Sequence, residues 1–193
     1  FSHPHAQAHV GRMALRGLGV RKNCQTAQFF LKHAAEQGGL VRSLMSTALA
    51  AHEAKRPQRA LMHYLLAAHA GVEAAQHNAG FLYAHDDRSL YDADVVAEGD
   101  SEQAALFRKK AMLYFQQAAV QGSVEAQVQL AVLLAEQQPP DHKLANKLFL
   151  ESAQAGSRDA LWHLGYHYLH GRGVVQDTQR AWDYMSQAGF HSK

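Results

Sequence analysis

The sequence contains no isoleucine, three threonines and twelve valines, whereas alanine fills 34 of its 193 positions. A chain this poor in β-branched residues and this rich in the strongest helix former has little from which to build a sheet, so an all-α fold is expected. Cys24 is the only cysteine, which excludes an internal disulfide and any Cys-x-x-Cys metal pair and leaves the redox compartment open. The longest uninterrupted apolar run, Leu130 to Ala135, falls far below the ~20 residues needed to cross a bilayer, and no membrane insertion is expected of this segment. Nineteen Lys and Arg against seventeen Asp and Glu leave a net charge of +2, too balanced for the phosphate-neutralising surface of a nucleic-acid binder. Gly-x-Ser-x-Gly, Ser-x-x-Lys and His-Glu-x-x-His are also missing. No catalytic residues and no cofactor are therefore expected, and the chain is not read as an enzyme. What is present, 47% hydrophobic and 19% charged residues, suffices for a core and excludes a disordered tail. The chain opens at Phe1 without a basic-then-apolar leader, and a segment of a longer protein is expected.

One unit recurs along the chain. Ala6-x-x-x-Val10-Gly11, Gly17-Leu18-Gly19-Val20, Ala27 and Ala34-Ala35-x-x-Gly38 line up with Ala160-x-x-x-Leu164-Gly165, Gly171-Arg172-Gly173-Val174, Ala181 and Ala188. The second half of the unit returns at Ala60, Ala111 and Ala145, so the anchor alanines at 27, 60, 111, 145 and 181 are 33, 51, 34 and 36 residues apart. Such spacing predicts an α-solenoid of about five antiparallel helix-turn-helix repeats, with units at about 1–38, 39–71, 72–122, 123–156 and 157–193. The long interval reflects an insertion at 85–102 within the third unit, where Gly80 to Ala111 spans 31 positions against 16 elsewhere. This insertion holds seven acidic residues against Arg88 and is read as a tolerated, solvated loop in preference to a partner-docking arm.

Glycine and alanine carry the mechanics of the unit. Small residues four or five apart, such as Ala160 and Gly165, lie on one helix stripe and admit a neighbouring backbone. Gly17 with Gly19, and Gly171 with Gly173, are expected to turn the chain between the helices of a pair, and Gly38, Gly71, Gly122 and Gly156 to end each second helix in a left-handed residue. Both Gly-x-Gly turns lack the third glycine and preceding strand of a dinucleotide fingerprint. Thr47 falls where the second unit should carry its glycine, and Pro57 and Pro139-Pro140 fall in turns.

The pattern Ala-x-x-x-Leu-Gly-x-x-Tyr-x-x-Gly-x-Gly-Val, followed by Ala and then Ala-Ala-x-x-Gly, resembles the Sel-one-like repeat of about 36 residues, a relative of the tetratricopeptide repeat. Gly19 to Ala27, Tyr64-Leu65-Leu66-Ala67 and Ala75 to Phe81 further resemble, in order and spacing, the central lumenal repeats of adaptor subunits in endoplasmic-reticulum-associated degradation (ERAD). That resemblance implies a non-catalytic scaffold in the endoplasmic reticulum lumen, from a membrane-anchored parent. Its implied partners are the membrane subunit of a ubiquitin ligase, ERAD lectins and misfolded glycoproteins. The alternatives are a generic Sel-like interaction module of a cytosolic or bacterial pathway, and a hydrolase of the cysteine-rich members of this repeat class.

Candidate contact residues come from what the packing stripe leaves over. In the fifth unit Leu164 and Tyr168 belong to that stripe, leaving Trp162, His163, Tyr166, His167 and His170 for a concave, partner-binding wall. The spacing of His163, His167 and His170 also suits a metal, but no carboxylate or thiol completes the set, and they are read as solvated polar-face residues. Cys24 is read as a small packing residue, not a nucleophile. Tyr184, Met185 and Phe190 lie on a last helix with no polar cap, so a homodimer through them is expected.

Overall fold

A computed structural model of the chain describes residues 3–85 and 101–189. It is an all-α repeat fold, with ten helices and no strand among the described residues. Two compact units divide the chain at Ser101. The first contains α1 (Pro4–Arg16), α2 (Cys24–Glu36), α3 (Gly39–Glu53), α4 (Pro57–His69) and α5 (Glu73–His85). The second contains α6 (Ser101–Val120), α7 (Val124–Glu136), α8 (His142–Gln154), α9 (Arg158–His170) and α10 (Thr178–Gln187).

Each pair is drawn together at its smallest residues. A Cβ placed on Gly165 of α9 would lie 2.9 Å from the Ala181 carbonyl oxygen of α10 and 2.6 Å from Met185 Cγ. One placed on Gly11 of α1 would lie 3.2 Å from the Ala27 carbonyl oxygen of α2 and 2.7 Å from Leu31 Cγ. The anchor alanines 27, 60, 111, 145 and 181 are all buried, and in the second unit Val128, Leu134, Phe149 and Leu164 build the apolar core with Ala145.

The helix ends follow from local chemistry. Asn23, Asp141, Ser157 and Asp177 accept hydrogen bonds from the backbone N–H three residues on, satisfying donors that a helix start leaves unpaired. Pro57 stands in the first turn of α4, where its missing donor costs nothing. Gly17 and Gly19 (φ 74° and 71°) and Gly171 and Gly173 (φ 67° and 69°) are left-handed, as are Gly71, Gly122 and Gly156. After these last three, Val72, Ser123 and Ser157 each donate back to the residue five before (Ala67, Ala118 and Ser152 carbonyls, 3.0–3.2 Å), closing a Schellman motif.

The structure departs from the expected pattern at the first joint. Gly38 is extended (φ −61°, ψ 142°) and serves as the N-cap of α3, so no left-handed residue follows α2. The register also shifts. Ala48, not Thr47, is the fully buried small residue of α3.

Glycines that look alike in sequence should therefore differ in cost on substitution. Gly71→Ala meets no atom within 4 Å and is expected to lose only the left-handed penalty, about 1–2 kcal/mol. Gly173→Ala adds a Cβ 2.6–2.9 Å from His142 Cβ, C and O, and a loss of roughly 2–5 kcal/mol is expected. Urea unfolding of the two variants checks this, and equal losses would contradict it.

Candidate partner-binding surface

α9 presents two faces with different chemistry. Trp162, Tyr166 and His170 stand one turn apart on the same side of the helix. The Trp162 and Tyr166 rings stack nearly parallel (centroids 5.7 Å apart, 9°), and His170 lies against Tyr166 at 4.4 Å. Trp162 is 38% exposed, Tyr166 half-buried and His170 exposed. From the left-handed turn beyond the helix, Arg172 places its guanidinium 4.8 Å from the Tyr166 ring centroid. The result is a short aromatic ladder ending in a cation, with flat ring area available for contact at low entropic cost.

The other face of α9 points into the unit. His163 lies flat on the buried Phe149 of α8, at 4.7 Å and 7°, and its burial lowers its pKa against the opposing pull of Asp159 and Glu136. His167 is not a contact residue: it is only 3% exposed, which corrects its placement on a solvated or partner-facing wall. The reason is a polar relay across three elements. His167 Nδ1 is 2.6 Å from Asn146 Oδ1 of α8, and Asn146 Nδ2 donates to the Arg172 carbonyl at 2.7 Å. Burial, helped by His142, His163 and Arg172, lowers the His167 pKa to about 4. An unprotonated His167 whose Nδ1–H donates to Asn146 fits this geometry. The three histidines of α9 do not converge: one stacks on Phe149, one turns to Asn146 and one lies on Tyr166.

The remaining expected positions are distributed as follows. Tyr184 stacks on Tyr168 (5.6 Å, 22°) and Met185 crosses Gly165, so both are half-buried against their own helix pair. The exposed aromatic of α10 is instead Trp182, at 45%. Phe190 lies outside the described residues, as do positions 86–100 of the acidic insertion. Cys24 is exposed in the first turn of α2, which corrects its reading as a packing residue.

Three residues of this region escape a sequence reading: Asn146, Arg172 and Trp182. Trp182 stands 36 positions after Asn146, so the repeat spacing pairs the two and marks a polar residue inside one unit against an aromatic at the end.

The relay should give stability a defined pH dependence. With its folded pKa near 4 and an ordinary value of 6.5, His167 binds its proton more readily unfolded than folded. The contribution is therefore complete above pH 6.5 and is lost as pH falls from 6.5 to about 4, to a total of about 3 kcal/mol. Denaturant unfolding across this range is expected to show that slope in the native chain and a flatter one in His167→Gln. Parallel curves would discount the relay.

Comparison with known proteins bears on this geometry. The family model "Sel1 repeat" matches residues 4–39, 54–72, 108–123, 124–157 and 158–189, leaving 40–53, nearly all of α3, and 73–107, which holds α5 and the start of α6, unmatched. The chain is 30% identical over 133 residues, 69% of its length, to the ERAD-associated E3 ubiquitin-protein ligase component HRD3 of Candida glabrata, and spans 15% of that protein. Two solved structures share the fold. A Sel1 repeat protein from Oxalobacter formigenes aligns over 97% of this chain and 73% of its own (TM-score 0.64, 22% identity). The protein c5321, a protective antigen of uropathogenic Escherichia coli with an SLR fold, aligns over 96% and 38% (TM-score 0.60, 26% identity). With well over half of its residues inside the matched repeats, the chain belongs to the Sel1 repeat family and is a protein-interaction scaffold.

Proposed function

We propose that this chain is part of a non-catalytic adaptor of ERAD in the endoplasmic reticulum lumen, holding misfolded glycoproteins and their lectin receptors near a membrane ubiquitin ligase. The observation that carries the reading is the 30% identity, over 69% of the chain, to a ligase component of that system. A scaffold of this kind acts by multivalent docking, in which two weak contacts on one rigid array become a strong one. The ladder of Trp162, Tyr166 and Arg172 supplies a contact rich in the residue types that dominate binding energy. A second reading, a generic Sel1 module of a bacterial or cytosolic pathway, draws support from the two bacterial structures that cover nearly all of this chain.

Self-association through the last helix, which carries Tyr184, Met185 and the exposed Trp182, belongs to the same proposal.

Immobilised chain is expected to retain the ligase membrane subunit or a glycoprotein-binding lectin from reticulum extracts. Trp162→Ala combined with Arg172→Ala should weaken that retention at least tenfold, as loss of interface anchors does. Retention of neither protein would favour the generic module. For self-association, light scattering over a concentration range should approach twice the 21.3 kDa chain mass and return to monomer in Trp182→Glu. A monomer at every concentration would remove that part of the reading.

A further inference from the structure

Within the first unit, α2 carries a stacking face that no described helix of that unit packs closely against. α5 lies along α4, and α9 lies along α8, but α3 makes little contact with α2. Burial records the difference at equivalent positions. On α4, Tyr64 and Ala67 are buried, and on α8, Phe149 and Ser152 are buried. On α2 the corresponding Leu31 and Ala34 are half-buried, and the adjoining Ala35 is exposed. The inner side of α2 is nevertheless normal, since Ala27 is buried and Leu31 crosses Gly11 as Met185 crosses Gly165. The first helix pair is thus properly formed, and its outer side is open.

The cause lies in the joint. At the three other joints a left-handed glycine is followed by an N-cap residue, and small residues stand four and nine positions beyond the glycine: Ala75 and Gly80, Ala126 and Ala131, Ala160 and Gly165. Counted from Gly38, those places hold Arg42 and Thr47. Counted from Gly39, they hold Ser43 and Ala48, both small. The sequence therefore equips Gly39 as the joint glycine, yet in this arrangement Gly39 is the first residue of α3 and is not left-handed. Leu40, which would then take the place of the buried Val72, is 74% exposed. α3 is correspondingly long, at 15 residues against 13 in each of α5, α7 and α9, and starting it at Val41 would leave 13.

We propose that Gly38-Gly39 is a hinge, and that a second, closed arrangement exists in which Gly39 turns left-handed and α3 starts at Val41. In it α3 lies on α2 as α5 lies on α4, burying Leu31, Ala34, Ala35 and Leu40. Glycine is the one residue that takes both backbone conformations without a steric penalty, and both joint positions hold it. The partner of the open face is thus this chain's own α3, tethered directly beside it. Closure would add the first pair to the packed repeats, and opening would release it, changing the reach between contacts on the first pair and those further along.

The test uses the full chain with Cys24→Ser, and spin labels at Gln25→Cys and Gln58→Cys, which are exposed and equivalent positions on α2 and α4. Pulsed dipolar spectroscopy is expected to resolve two distance populations. Gly39→Ala should abolish the shorter one, because its Cβ meets nothing within 4 Å in the open form but opposes the left-handed turn of the closed form. Leu40→Asp should do the same by placing a charge in the closed interface. A single population unchanged by both substitutions would overturn the proposal. So would a short distance that disappears on dilution with unlabelled protein, which would assign the covering helix to a second copy.

Discussion

Where the helices of a pair cross, backbone meets backbone, and the rest of the architecture answers to that approach. Gly165 rests on the Ala181 carbonyl and Gly11 on the Ala27 carbonyl, leaving no room for a side chain at either crossing. A core built this way is thin, filled by alanines at every anchor and by few large residues, among them Phe115, Phe149 and Leu82. The high alanine content is therefore a packing requirement as much as a helix propensity. It also explains why large apolar and aromatic residues are left over for the surface, including Trp162 and Trp182.

A thin apolar core places weight on the few polar groups that cross it. In the second unit Asn146 joins α8 to the turn after α9 and to His167 at once, so three segments share one set of hydrogen bonds. Gly173 sits directly on the start of α8, against His142, and the carbonyl of Arg172 is held one residue earlier. The same turn that presents the Arg172 guanidinium to Tyr166 is thus fixed from beneath. Surface chemistry and interior hydrogen bonding are coupled through a single residue whose main chain faces in and whose side chain faces out.

Much of the fold was legible because repeat spacing is a statement about backbone geometry, and backbone geometry is what glycine and alanine report. The helix class, the turns at Gly17 and Gly171 and the crossings at Gly11 and Gly165 belong to this class of signal. The candidate surface was less legible, because a helical wheel assigns sides but not the neighbours that cover them. A packing stripe of Leu164 and Tyr168 leaves His167 on the outside by elimination; its burial depends on Asn146, 21 positions away, and on the Arg172 main chain. Neighbours decide Tyr184 and Met185 in the same way: Met185 crosses the bare Gly165 and Tyr184 stacks on Tyr168 of α9. At the first joint two adjacent glycines offer two registers, and the small residues Ser43 and Ala48, the latter fully buried, favour the one counted from Gly39.

Both tryptophans of the chain, Trp162 and Trp182, lie in its last helix pair. Tryptophan emission, excited selectively beyond the tyrosine band, therefore reports on that pair and not directly on melting or rearrangement near the Gly38-Gly39 joint. Emission spectra and circular dichroism can consequently disagree about when this chain unfolds, and such a disagreement would locate the event along the sequence.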